Sequence, residues 1–193
     1  MHITRYWLMP ATAVGIYAFF FAQALTLGDT RPASVRVDPA AAATPAGLFA
    51  DGASSPEELV DRLLTALAAN DEASVQRLRV TRDEYLEIIV PGTVEPGQPL
   101  RQVSEQPREF FWRYLDQKNR DFGDILLQRY GGHPYLRQEI RFTAATTSYA
   151  TYQALGRTHI LVRDADGAEG TIRTGYIAAV GGRYKFIGFE WDD

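Results

Sequence analysis

Two histidines are the side chains of this chain best suited to acid–base chemistry. His133 follows a Gly-Gly pair, and His159 lies in the middle of the stretch Arg157-Thr-His-Ile-Leu161. A histidine works as a general base only when a second group orients it, and the neighbours of His133 supply none. His133 is therefore interpreted as a solvated loop residue. His159 shares a strand face with Arg157 and Leu161, which favours a partly buried or interface histidine.

The acidic turn at Asp164, Asp166 and Glu169 has some features of a calcium loop. An EF-hand also needs a third early ligand and a later glutamate at fixed spacing, and the sequence has neither. A charged hairpin turn fits these residues better. The chain has no cysteine, which excludes disulfides, thiolate metal sites and a cysteine nucleophile. The sequence thus predicts no metal site and no cofactor.

The common catalytic signatures are absent from the sequence. It contains no G-x-S-x-G, H-E-x-x-H, G-x-x-x-x-G-K or G-x-G-x-x-G pattern. This disfavours serine hydrolases, zinc proteases and nucleotide-binding enzymes, and no catalytic residue is assigned. The formal net charge is −4 and basic residues form no run, so a nucleic-acid partner is not expected.

The N-terminus carries a targeting pattern. Arg5 precedes an apolar run, strongest at residues 11–22, which ends in Ala22-Gln23-Ala24. A basic start, an apolar middle and an A-x-A end are typical of a secretory signal. The uncharged run, residues 6–27, also has the roughly 20 residues that span a membrane as a helix. Residues 1–28 are predicted to be a signal peptide or a retained anchor, with a buried core helix as a third alternative. Either leading alternative places the rest in the periplasm or outside the cell.

Residues 29–54 are rich in alanine and proline and show no amphipathic period. Such a composition buries too little apolar surface to offset the entropy of ordering, so the segment is predicted to be a disordered linker. Leu48 and Phe49 are exceptions that could dock on the edge of the domain.

Residues 55–193 are predicted to form one α+β domain that begins with helices. Ser55 with Glu58 and Thr81 with Glu84 form capping boxes, which mark two helix starts. Asn70-Asp71 ends the first of these helices and starts a short second one that runs through Val75 and Leu78. A longer helix is expected at about residues 107–130. Its predicted apolar face comprises Phe111, Leu115, Phe122 and Leu126, and its predicted polar stripe comprises Arg113, Asp116, Arg120 and Asp124, with Gly123 as a weak point.

Four antiparallel strands are predicted to follow, at residues 138–149, 152–163, 171–180 and 183–191. Helices first and a meander last indicate helices packed on one face of an antiparallel sheet. The last two strands are apolar on both sides, which one helical layer would not cover. The sequence therefore predicts that a second surface or a homo-oligomer covers the other face of the sheet. Phe189 is predicted to lie on that outward face.

This order of elements resembles the nuclear-transport-factor-2-like superfamily of cone-shaped α+β domains. The ending Gly182-Arg-Tyr-Lys-Phe-Ile187 looks like the closing G-x-W-K strand of that superfamily, and Leu67-Ala-Ala-Asn-Asp71 looks like its loop after the first helix. The resemblance implies a curved antiparallel sheet closed by helices. The superfamily includes isomerases and cyclases, ligand carriers and structural assembly domains, so the fold does not give the function.

Enzymes of this superfamily typically place a carboxylate or histidine and tyrosine donors inside the cone. The resemblance makes Glu139, His159, Tyr176 and Glu190 candidate pocket residues, although no catalytic signature carries over. The aromatic set Phe110, Phe111, Trp112 and Tyr114 could form a pocket floor, with Tyr114 as a fifth candidate, but this spacing is more typical of a helix core.

The leading hypothesis is a non-enzymatic domain outside the cytoplasm that binds a small apolar ligand or a protein partner, with the membrane contacted through residues 6–27 if they are retained. One alternative is a structural subunit of a membrane-anchored assembly. The other is an isomerase or hydrolase of the resembled superfamily.

Overall fold

The computed structural model describes residues 49–189, which form helices followed by antiparallel strands, as expected for the α+β class. The predicted targeting segment, most of the predicted linker and Glu190 lie outside the described residues. Within residues 49–189, no helix combines the length and apolarity needed to cross a membrane.

Four helices precede the strands in this part of the chain, and two of them start at the predicted caps, Ser55 and Thr81. They are α1 (Pro56–Ala68), α2 (Glu72–Arg77), α3 (residues 82–92) and α4 (Glu105–Tyr130). The middle of α3, Tyr85–Ile89, is π-helical. The Ser55 side chain accepts a hydrogen bond from the Glu58 amide at the start of α1, and Thr81 and Glu84 form the complete capping box of α3.

Between residues 135 and 186, seven strands form two antiparallel sheets. They are β1 (Tyr135–Phe142), β2 (Thr147–Ser148), β3 (Gln153–Leu155), β4 (Thr158–Asp164), β5 (Glu169–Thr174), β6 (Ile177–Val180) and β7 (Arg183–Phe186). One sheet has the order β1-β4-β5 and the other has the order β2-β3-β6-β7. The predicted turns at Asp164–Gly167 and Gly181-Gly182 join β4 to β5 and β6 to β7, and all three glycines have positive φ.

All four predicted strands are wrong in extent: the fourth ends at Phe186, and each of the other three divides between the two sheets. The first ends at Phe142 and resumes at Thr147, the second breaks at Gly156-Arg157, and the third breaks at Gly175-Tyr176. Backbone hydrogen bonds from Thr143 to Arg157 and from Thr158 to Gly175 tie these breaks together. Gly156 lies so close to Ala144 that a Cβ there would overlap the Ala144 carbonyl oxygen.

The main core lies between α1, α2, the C-terminal half of α4 and the sheets. Its largest fully buried side chains include Leu59, Leu63, Leu67, Leu126, Ile160, Ile172 and Phe186. The predicted apolar face of α4 is only partly correct. Leu126 is buried, whereas Phe111 and Leu115 are half-buried and belong to neither core cluster. The N-terminal half of α4 therefore extends beyond the core.

A second cluster covers the other side of the β2-β3-β6-β7 sheet. Ile88 and Ile89 of α3 pack there with Phe49, Tyr152 and Val180. The two-sided apolar pattern of the last strands is thus covered by this chain itself, so it gives no reason to expect an oligomer. The prediction that Phe189 lies on the outward face of the sheet is wrong, since this residue is 1% exposed and belongs to the main core. A homo-oligomer stays a prediction.

The last predicted linker residues pack against the domain. Phe49 is fully buried, and Ala53 exchanges two backbone hydrogen bonds with Tyr184. Residues 49–54 therefore belong to the folded domain, although the sequence assigned them to the linker and allowed only Leu48 and Phe49 to dock on the domain.

Candidate binding groove

A groove of about 1230 Å³ lies along α1, α2 and the segment that leads into α3. Trp112 and Asp116 of α4 and Lys185 of β7 complete its lining. Half of the lining side chains are charged, namely Asp51, Glu57, Glu58, Asp61, Arg62, Asp71, Arg77, Arg79, Asp116 and Lys185. The groove therefore suits a polar or charged ligand better than a wholly apolar one.

Arg79 is the most buried arginine of this groove, with 6% of its surface exposed. Its Nη2 donates to Asp116 Oδ1 at 2.9 Å, but its Nε and Nη1 have no acceptor among residues 49–189. Burial lowers the pKa of Arg79, and Arg120 adds to this effect, while Asp116 opposes it. Each buried donor without an acceptor costs roughly 1–3 kcal/mol, so this side chain is held at a cost to the fold.

Asp116 is shared between two arginines. Its Oδ2 accepts from Arg120 Nε at 3.0 Å, while its Oδ1 faces Arg79. Burial acts to raise the pKa of Asp116, but the hydrogen bonds from Arg79 and Arg120 outweigh it and lower that pKa overall. Two guanidinium groups thus face one carboxylate, which leaves one positive charge in excess at this point.

The contact between α2 and α4 contains further buried polar atoms without partners in the described chain. These are both amide atoms of Gln76 and Nδ2 of Asn119. Asn119 Oδ1 accepts from the Phe189 amide at 2.8 Å. A Cβ at Gly123 would lie 2.5 Å from Gln76 Nε2, so the absence of a side chain there is what admits Gln76. Gly123 therefore also serves as a packing position, and Asp116 is turned inward from the predicted polar stripe.

Lys185, the second buried cation, is paired with a carboxylate of the same chain. Its ammonium group donates to both carboxylate oxygens of Glu84 and lies 5.9 Å from the centre of the Phe49 ring. Glu84 also accepts from the Thr81 amide. Lys185 therefore has a structural role, which sets it apart from Arg79.

Two of the five acidic residues that line the groove besides Asp116, called here its rim, pair with arginines. Glu58 pairs with Arg62 at 2.5 Å, and Asp61 makes two hydrogen bonds with Arg137 at 2.7 and 3.0 Å. These pairs reduce the negative potential that the rim would otherwise impose on Arg79.

Glu139 and His159 lie on the outer face of the β1-β4-β5 sheet. His159 is half-buried and stands directly opposite Arg141 on β1 and Arg173 on β5. Glu139 is exposed and pairs with Arg141 at 2.6 Å, and this hydrogen bond lowers the pKa of Glu139. These two candidates share a sheet face, and neither lines the groove.

The tyrosine candidates lie elsewhere. Tyr176, between β5 and β6, packs against the second core cluster beside Tyr149, which stacks on Tyr152 with ring centres 4.8 Å apart. Tyr114 lies on α4 and is 49% exposed. The structure therefore brings Glu139 and His159 to one face and places Tyr176 and Tyr114 on other elements.

The aromatic set of α4 does not form a pocket floor as a unit. Trp112 lines the groove and packs against Tyr85 with ring centres 5.6 Å apart. Phe110 is 60% exposed and lies one helical turn before Tyr114. Phe110 and Tyr114 together form an outward surface, called here the aromatic face.

The acidic turn is explained by backbone hydrogen bonds. Asp164 Oδ1 accepts from the amides of Asp166 and Ala168, and Glu169 pairs with Arg163 at 2.9 Å. This confirms the hairpin interpretation. Among residues 49–189, no cluster of three or more histidine, aspartate or glutamate side chains is placed to hold a metal ion.

Comparison with protein-family models, with curated proteins and with solved structures found no match to this chain. The resemblance to the nuclear-transport-factor-2-like superfamily therefore stays a prediction.

Sequence reasoning did not single out Arg79 as a functional residue. The available signal was a cation between two apolar residues, Leu78-Arg79-Val80, just before a helix cap. Its carboxylate partner lies 37 positions away, so sequence spacing could not indicate it.

Proposed function

We propose that this chain is a non-enzymatic domain that acts outside the cytoplasm, with a nuclear-transport-factor-2-like cone, and that it binds a protein partner through the aromatic face of α4. The N-terminal targeting pattern supports export. The order of the helices and the bent antiparallel strands support the cone. Retention of residues 6–27 as an anchor would make the domain a subunit of a membrane-anchored assembly.

The exposed aromatic face is the observation that carries this proposal. Phe110 and Tyr114 are 60% and 49% exposed, and neither belongs to a core cluster. Leu100, in the loop before α4, is 47% exposed. Large aromatic side chains are enriched at protein interfaces, because they bury much area at low entropic cost.

A protein partner suits the structure better than the other two hypotheses. Fully buried side chains such as Leu126, Ile160 and Phe186 fill the space between α4 and the sheets, which leaves the carrier hypothesis without support there. For an enzyme, the carboxylate and tyrosine candidates would have to converge. Instead Glu139 is exposed and ion-paired, and Tyr176 packs on another sheet.

Photo-crosslinking in the native host tests the proposal. A photoreactive amino acid replaces Phe110 or Tyr114 in the full-length chain, and the exposed Gln138 of β1 serves as the matched control. We expect one distinct polypeptide to be crosslinked from positions 110 and 114 and not from 138, and Phe110→Ser to weaken the adduct formed at 114. The same adducts from all three positions, or none from 110 and 114, would refute it.

A further inference from the structure

We propose that the groove is a binding site for a carboxylic acid with an apolar body, whose carboxylate is recognised by Arg79 and Gln76 beside the ring of Trp112. This site is separate from the aromatic face and does not depend on its role.

Two buried side-chain ends of groove-lining residues lack hydrogen-bond acceptors. Nε and Nη1 of Arg79 and Nε2 of Gln76 are donors without partners in the described residues, and Gln76 Oε1 is an acceptor that is also unused there. Both residues line the groove. A carboxylate brings two oxygens with several lone pairs, and therefore supplies what these donors lack.

The charge balance favours an anion at the same point. Arg79 and Arg120 share Asp116, so one positive charge is left unmatched. The nearest buried cation, Lys185, is neutralised by Glu84. Hydrogen bonds between ionised groups are stronger than neutral ones, and more so where water is excluded, as it is around an arginine that is 6% exposed.

The wall beside Arg79 is apolar, which defines the rest of the ligand. Trp112 precedes Asp116 by one helical turn, and the half-buried Leu78 precedes Arg79 in sequence; both line the groove. A carboxylate held by Arg79 would therefore place its attached carbon skeleton against an indole ring and an aliphatic side chain. Aromatic and aliphatic carboxylic acids fit this description, whereas inorganic anions would use only the polar end.

Calorimetric titration of the full-length chain with benzoate, and with its neutral isostere benzamide, tests the proposal at fixed ionic strength and neutral pH. We expect benzoate to bind at least about tenfold more tightly than benzamide, since a hydrogen bond to a charged group contributes enough for that ratio. Arg79→Met should weaken benzoate binding by about tenfold or more. Arg163→Met, which removes an exposed arginine outside the groove, should leave it within about twofold.

Gln76→Met is the second variant, because it removes one donor while keeping a side chain of similar length. We expect it to weaken benzoate binding by about threefold to tenfold, which also decides the matter should Arg79→Met fail to fold. Equal binding of benzoate and benzamide would overturn the proposal. So would unchanged benzoate binding by Arg79→Met or Gln76→Met, or an equal loss in Arg163→Met.

Discussion

The Lys185 ammonium group lies 2.9 and 3.0 Å from the two carboxylate oxygens of Glu84, across 101 positions of sequence. The Lys185 side chain is 3% exposed and that of Glu84 is 12% exposed. The pair joins β7 to the start of α3, the helix that covers the second side of the β2-β3-β6-β7 sheet. A buried pair of this kind fixes the position of α3, because either charge alone would be costly to bury.

Loss of one partner of this pair should destabilise the domain strongly. We expect Lys185→Met to lower the free energy of unfolding by about 3–5 kcal/mol, since it leaves the Glu84 carboxylate buried without its cation. Urea denaturation measures this. Arg163→Met, which breaks the exposed pair with Glu169, is the control and should cost less than about 1 kcal/mol. Equal losses in the two variants would show that Lys185 is not buried against Glu84.

The two halves of α4 should respond differently to truncation. Leu126→Ala should cost about 2–5 kcal/mol, because Leu126 is 2% exposed within the main core. Leu115→Ala should cost only about 1 kcal/mol, because that side chain is half-buried outside both clusters. Denaturant melts that gave equal costs would contradict the extension of α4 beyond the core.

The crossing between the two sheets should depend on Gly156. Gly156→Ala is expected to destabilise the domain by about 2 kcal/mol or more, because the added methyl group overlaps the backbone oxygen of Ala144, which cannot move independently. Gly123→Ala is the matched control. There the methyl group meets the mobile end of Gln76, and alanine gains about 1 kcal/mol in helix propensity, so thermal melts should show little change. A mild effect at Gly156 would mean that the two sheets are not joined by this close approach.

Substitution of Phe49 should destabilise the domain, whereas deletion of the predicted linker residues before it should not. Phe49→Ala is expected to lower the free energy of unfolding by about 3–5 kcal/mol, because this ring is fully buried in the second cluster.

Deletion of residues 31–46 should leave the melting temperature nearly unchanged, because their composition has no core-facing pattern. A drop of many degrees after this deletion would show that the segment packs into the fold.

The start of α1 should contribute a pH-dependent term to stability. Hydrogen bonds from the Ser54 side chain and amide, followed by one from Arg62, lower the pKa of Glu58 from 4.5 to about 2. A lowered pKa in the folded state stabilises the fold above the unfolded value of 4.5, and this contribution is lost as the pH falls towards 2. Glu58→Gln should therefore lower the urea midpoint at neutral pH and have little effect once the pH is below about 2.

NMR titration of the Glu58 carboxyl carbon provides the direct check on that term. Ser54→Ala should move the pKa of Glu58 back towards its ordinary value, and Arg62→Met should move it less, because the Ser54 side chain is the largest cause. A larger effect of Arg62→Met would mean that the ion pair, and not the cap, holds the carboxylate.

Much of the local structure could be predicted from the sequence. The caps at Ser55 and Thr81 and the turns at Asp164–Gly167 and Gly181-Gly182 depend on hydrogen bonds and backbone angles within four or five residues. For the candidate pocket residues, the sequence could predict only the helix or strand on which each residue lies. The placement of His159 on a strand is confirmed, but the face that it shares with Glu139 depends on the register between β1 and β4.

The sequence by itself determined where helices start, where hairpins turn and that the class is α+β, because these features are set by near neighbours along the chain. Tertiary structure alone decided where strands cross between sheets, which half of α4 is buried, and that Arg79 and Lys185 lie inside. The partners that settle those points are 37 and 101 positions away for the two cations. Burial and pairing over such distances depend on how all elements pack together, and no spacing within one element encodes them.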